Sequence, residues 1–296
     1  MRSNDQRPVF IIGGSRTGST MLETILSKSS DICITHELQY RNPFWLQRDF
    51  LQDVDTHVGP LDKNGALDRL VELVFSGLPV GWFWSASERM LNRDWFYAEL
   101  SGKELNPQTI FDAVLQVHAR VENKKRIGAK FPLHYLYTEQ LMEWYPDCLL
   151  LHTTRNPKAV YASQAAKYLK PGQGRVSRLF QRFKQFAHIN IQISLTARLH
   201  CQLRHRPNYR LVRYEDLVTN PETEIRELCE FVEIDFRDEM LRPNQFGSSF
   251  DGIGHNKEGI GRSSLDRWRT SISSFTAKTI DWLHPLAYRA LGYTRD

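Results

Sequence analysis

The chain has 296 residues, 41% of them hydrophobic, enough to close a large core, and we expect residues 1–296 to form one domain. A net charge of +5 and a pI near 9.0 suit an anionic ligand, but Lys and Arg are dispersed and form no long basic run, so nucleic acid is not expected as a partner. Cys33, Cys148, Cys201 and Cys229 stand far apart without a C-x-x-C pair, which argues against a zinc site or a disulfide framework and for core thiols. The residues before the first strand contain no apolar run long enough for a signal peptide or a membrane span. A soluble, cytoplasmic protein is expected, although loss of an N-terminal anchor would leave the same sequence. Neither an internal repeat nor a low-complexity segment is present.

Val9 to Ile12 are apolar and mostly β-branched, as in a strand buried on both faces. Gly13 and Gly14 then permit unusual backbone angles and close approach by a ligand. From Ser19 the spacing turns helical, with Met21, Leu22, Ile25 and Leu26 on one side. A turn of this kind aims backbone N–H groups and the positive end of a helix dipole at one point, and Arg16 adds a full charge. The expected guest is an anion such as phosphate; the other reading is a glycine turn that merely joins strand to helix. Gly13, Gly18, Ser19 and Thr20 fit the spacing G-x-x-x-x-G-x-[ST], but Ser19 stands where a nucleotide-hydrolysing loop carries Lys, against an ordinary ATPase or kinase.

Further along, Ile32 to Ile34 reads as a short strand leading to His36 and Glu37, either general-base candidates or a solvated surface turn. Residues 40–106 are rich in aromatics, among them Trp82, Phe83 and Trp84, and either line an acceptor pocket or form ordinary core and loop; Leu67 to Phe75 has helical spacing. Pro107 to Val121 is a helix with Asn106 as its cap, Arg126 to Phe131 a strand bearing Lys130 near its end, and His134 to Trp144 a helix. Cys148 to Thr153 is a buried strand that leads to Arg155, and a helix follows over Lys158 to Tyr168. After a Pro-Gly break, Arg175 to Leu203 reads as a long structural helix with Val176, Leu179, Phe183, Phe186, Ile189 and Ile193 on its core side. Tyr209 to Arg213 is a strand with Tyr214, Glu215 and Asp216 as its polar exit, and Asn220 caps the next helix. A Gly-, Ser- and Asn-rich loop runs to Ser264, and the last helix spans Phe275 to Leu291. Alternation of strand and helix predicts an α/β fold with a parallel sheet covered by helices on both faces, where ligands bind beyond the carboxyl ends of the strands.

Taken together, these segments resemble the sulfotransferases that use 3′-phosphoadenosine-5′-phosphosulfate (PAPS), in style the bacterial and tyrosylprotein-type branch, over nearly the whole chain. Gly14-Ser15-Arg16-Thr17-Gly18-Ser19-Thr20 is similar to the family's 5′-phosphosulfate loop, and Leu149 to Ser163 to its 3′-phosphate element, which implies Arg155 and Ser163 as phosphate ligands. Lys130-Phe131-Pro132 resembles the Lys-x-Pro element whose Lys lies near the bridging oxygen of the leaving phosphate. Glu37 matches the acidic base of the tyrosylprotein branch, and His36 stays an alternative because other branches use His. Tyr214 would sit near the nucleotide, Arg262 in a late lid would touch a phosphate, and Trp268 would be packing. The resemblance implies a P-loop-like central parallel sheet flanked by helices, with 40–106 as an acceptor-site insertion. Sulfuryl transfer from PAPS to a hydroxyl acceptor (carbohydrate, lipid, peptide tyrosine or small alcohol) follows, with Glu37, Lys130 and Arg16 carrying the chemistry and no metal required. The rival readings are a P-loop kinase or nucleotide hydrolase and a non-catalytic nucleotide-binding module.

Overall fold

The structure is a computed structural model that describes residues 7–36, 54–75, 91–131, 134–169, 172, 174–245 and 257–295. In chain order the principal elements are β1 (Val9–Gly13), α1 (Ser19–Leu26), β2 (Ile32–Thr35), α2 (Ala66–Phe75), α3 (Arg93–Leu100), α4 (Pro107–Val121), β3 (Arg126–Phe131), α5 (Thr138–Trp144) and β4 (Leu149–Thr154). There follow α6 (Pro157–Tyr168), α7 (Arg175–Leu203), β5 (Tyr209–Arg213), α8 (Tyr214–Thr219), α9 (Pro221–Val232), β6 (Asn244–Gln245), β7 (Lys257–Glu258), α10 (Arg267–Ser271), α11 (Ser274–Leu283) and α12 (Pro285–Ala290). The expected α/β fold is present: five strands form the central sheet in the order β2-β3-β1-β4-β5, and β6 and β7 make a separate antiparallel pair. Among the described residues no helix is long and apolar enough to cross a membrane.

Contacts divide the chain into two compact units, residues 1–12 with 29–150, and residues 13–28 with 151–296. In the first, β3 runs parallel to both β1 and β2, with Lys130 opposite Ile11 and Ile127 opposite Cys33. β1 and β2 are buried along their whole length, which is why they read as continuous apolar runs rather than alternating ones. Helix α4 packs on β2 and β3 through Ile110, Phe111, Val114 and Leu115. Its start is fixed by a reciprocal cap, in which Asn106 accepts from the Thr109 N–H and the Thr109 hydroxyl accepts from the Asn106 N–H. Burial pushes the Cys33 and Cys148 thiols up to about 12, as expected of inert core thiols.

In the second unit, α6 and α12 pack on α7, and Val160, Ile189, Ile193, Ile280 and Tyr288 form a shared apolar cluster.

Several local expectations are corrected. The helix predicted over 134–144 is a 3₁₀ turn, His134–Tyr137, followed by α5. The last helix is broken between Leu283 and Pro285, because proline has no N–H to donate and disfavours helical angles in the residue before it. Asn220 makes no side-chain cap bond to α9, and the predicted loop after Pro243 contains the β6–β7 pair. On α7, Ile189 and Ile193 are buried as expected, whereas Val176, Leu179 and Phe183 face solvent.

Candidate active site

The loop after β1 belongs wholly to the second unit, and its shape is set by three glycines with different tasks. Gly13 (φ 142°) and Gly18 (φ 96°) hold left-handed angles that other residues avoid. Gly14 is required by space instead: a Cβ there would lie 2.1 Å from the Gln192 side chain. Arg16 also has a positive φ, 70°, an uncommon conformation for a non-glycine residue and one that costs on the order of 1 kcal/mol or more. Three positive-φ residues within six positions give the loop a tightly turned backbone.

The loop is braced from three sides. The Thr17 hydroxyl donates to the Gly14 carbonyl at 2.7 Å and shares a 2.7 Å hydrogen bond with the Thr153 hydroxyl on β4. From α7, buried Gln192 donates to the Ser15 carbonyl at 3.1 Å. The Tyr214 ring lies against Gly18, so close that a Cβ would stand 2.5 Å from its edge. Ser19 opens α1, whose N-cap is Gly18; no side chain caps that end and no acid stands in its first turn. Its positive end therefore faces the loop without a built-in counter-charge.

Arg16 reaches α6, where its Nε donates to Ser163 Oγ at 2.8 Å, so two predicted site residues 147 positions apart in sequence meet. Arg155 follows β4. Its guanidinium stacks over the Tyr214 ring at 4.1 Å, and Nη2 donates to the Ser264 carbonyl at 2.8 Å. The Tyr214 hydroxyl closes this group on Ser264 Oγ at 2.5 Å. Arg155 Nε is buried without a hydrogen-bond partner, and no carboxylate stands within ion-pair distance of this side chain among the described residues. Burial holds its pKa below the ordinary arginine range, Tyr214 and Glu215 pulling the other way.

The start of α6 is fixed by side chains to which the sequence assigned no role of their own. Asn156 caps the helix by accepting from the Lys158 N–H, while its own N–H donates to Glu215 at 2.8 Å; the other Glu215 oxygen accepts from the Tyr293 hydroxyl at 3.0 Å. Lys158, fully buried, pairs with Asp281 at 3.1 Å and lies 4.4 Å from the Trp268 ring centre. Trp268 thus packs, as expected. Sequence alone assigned Gln192, Thr153, Glu215 and Lys158 no individual role, because each works through a partner distant in sequence. Arg262 is exposed and donates to the Thr219 carbonyl at 2.7 Å. Thr20, in the first turn of α1, is half-buried and accepts from Thr24 Oγ1 through its carbonyl.

In the first unit, Lys130 is fully buried on β3. His36 stands in an exposed turn after β2, and Glu37 lies outside the described residues. Among the described residues no group of His, Cys, Asp or Glu side chains is arranged to hold a metal.

A strand, a glycine-bearing loop and a helix, with the half-buried Arg155 beside Tyr214, make up the candidate site. A model of the Sulfotransferase family matches residues 8–238, and the chain belongs to that family. Two solved structures share the fold: the sulfotransferase domain of the Synechococcus PCC 7002 olefin synthase (TM-score 0.58, 18% identity, 98% of this chain and 96% of that one) and the sulfotransferase domain from the curacin biosynthetic pathway (TM-score 0.58, 19% identity, 98% and 99%). An uncharacterized protein of Aquifex aeolicus (strain VF5) is 25% identical over 272 residues; the match takes in 89% of this chain and 30% of that much longer protein.

Proposed function

We propose that the protein transfers a sulfuryl group from PAPS to a hydroxyl acceptor. The observation that carries this proposal is Arg155: a half-buried guanidinium whose Nε is buried and unsatisfied, stacked on Tyr214, suits an anion, and a 3′-phosphate would supply the missing acceptor. The second anion position is the loop Gly14 to Thr20, whose N–H groups and Arg16 suit a 5′-phosphosulfate, while Ser163 serves the phosphate beside Arg155 and holds Arg16 in place. Tyr214 supports the base-bearing nucleotide, and Arg262 contributes a phosphate contact from the late segment.

When bound, PAPS supplies the sulfuryl group and leaves as the 3′,5′-bisphosphate. Glu37, with His36 as the alternative, takes the proton of the acceptor hydroxyl as its oxygen attacks sulfur. Lys130 and Arg16 stabilise the negative charge that grows on the bridging oxygen as the sulfur–oxygen bond breaks, and this scheme has no step for a metal. Family resemblance rather than geometry supports Glu37 and Lys130. Residues 1–296 act as one sulfotransferase domain, and 40–106 provide the acceptor side, with a glycan or a lipid among the acceptor classes. A cytoplasmic setting suits the four free cysteines.

The test combines binding and turnover. Adenosine 3′,5′-bisphosphate should raise the melting temperature with EDTA present, and labelled PAPS should pass its sulfate to a hydroxyl compound in a host extract. Stabilisation by magnesium-ATP instead would turn the assignment toward a nucleotide hydrolase or kinase. Bisphosphate binding without transfer to any acceptor would leave a binding module.

A further inference from the structure

The first turns of α7 have an unusual surface. Residues 174–184 are exposed all round except for half-buried Gln181, yet they include Val176, Leu179, Phe180 and Phe183, the last 69% exposed. At about 100° per residue, these four share an arc of about 100° on the far side of the helix from buried Gln185, Ile189 and Gln192. Arg175 and Arg182 border one edge of this stripe and Lys184 the other. Ile191 continues it along the helix.

A second exposed apolar face adjoins it. Phe275 and Trp282 stand seven residues apart on the outer side of α11, away from buried Ala277 and Ile280, and Leu286 opens α12; Trp282 is 76% exposed and Leu286 81%. The joint between these two helices seats on α7, where His284 Nε2 meets Asn190 Oδ1 at 2.5 Å, next to Ile191. The two faces are therefore neighbours.

Charge indicates what covers them. From Cys148 to Tyr214 the sequence contains no Asp or Glu, and α11 and α12 contain only Asp281, which is buried and paired with Lys158. A broad apolar strip with Trp and Phe, bordered by Arg and Lys and lacking carboxylates, matches a helix lying in the plane of an anionic bilayer. A second copy of the chain would set like charges against one another. We infer that α7, with α11 and α12, docks the protein onto an anionic lipid surface. The inference is independent of the acceptor and of the assigned reaction.

Sedimentation of the full chain with vesicles tests it. The protein should pellet with phosphatidylglycerol–phosphatidylcholine vesicles, far less with phosphatidylcholine alone, and progressively less as salt rises. Phe180→Glu with Phe183→Glu should lower the partition coefficient at least tenfold and leave the melting temperature and bisphosphate affinity unchanged, because both side chains are exposed and outside the anion site. Arg175→Gln, Arg182→Gln and Lys184→Gln together should remove most of the salt dependence. Absence of pelleting at low salt, or equal pelleting of the double Phe variant, would overturn the inference. So would a concentration-dependent dimer that the Phe substitutions abolish in a protein that ignores vesicles, since the face would then belong to a second copy.

Discussion

Arg155 is half-buried, and its Nε is shielded from water with no acceptor, an arrangement that costs stability until an anion arrives. Arg155→Ala should therefore weaken bisphosphate binding by about tenfold or more, from about 1.5–3 kcal/mol for a charge-assisted hydrogen bond, with little loss of melting temperature in the free protein. Titration calorimetry reads the first and thermal unfolding the second. Lys130 is also fully buried, on a strand. Lys130→Ala should lower turnover on the order of a hundredfold while bisphosphate affinity changes far less, because its assigned charge forms only as the bond breaks. Normal turnover in that variant would remove Lys130 from the reaction.

At the scale of elements, the β1–loop–α1 unit depends on its glycines for geometry and on other elements for support. Gly18→Ala would force a side chain into a left-handed position and into the Tyr214 ring. We expect a loss of about 1–3 kcal/mol in urea unfolding, and weaker anion binding, because Tyr214 also carries Arg155. An unchanged urea midpoint would show that the loop does not need this angle. Elements also explain where patterns were misleading. The Asn106 cap was legible because its partner Thr109 lies within one turn, and the α4 stripe because its apolar spacing repeats along the helix itself. The break at Pro285 was present in the sequence but was overridden by the apolar spacing on either side.

At the scale of the whole molecule, five histidines among the described residues are held below their ordinary pKa of 6.5, chiefly by burial: His118, His152, His188, His200 and His284. His152 is the extreme case, lowered to about 3, with Nδ1 2.9 Å from the Tyr209 hydroxyl, which also meets His200 at 3.1 Å. Such a group binds a proton in the unfolded chain before it does so in the folded one. Its contribution to stability is complete above about pH 6.5 and is lost as pH falls from there toward 3. Urea unfolding free energies measured from pH 7.5 down to 4.5 should decline, with His152 alone contributing a slope of up to about 1.4 kcal/mol per pH unit. A flat profile over that range would mean that these rings are more hydrated than their burial implies.

By itself the sequence determined the alternation of strands and helices, the glycine-bearing turn that carries Arg16 after β1, and the positions of Lys130 near the end of β3 and Arg155 just after β4, because periodicity, glycine spacing and capping act within a few residues. Only the tertiary structure decided that Gln192 and Thr153 brace the loop, that Arg16 reaches Ser163, and that Glu215 holds the start of α6. It also decided which side of α7 is core: an apolar residue such as Phe183 has the same helical spacing whether it meets the protein or something outside it. Local rules carry a segment's conformation, but the partner of a side chain is set by segments distant in sequence that meet it only as the chain folds.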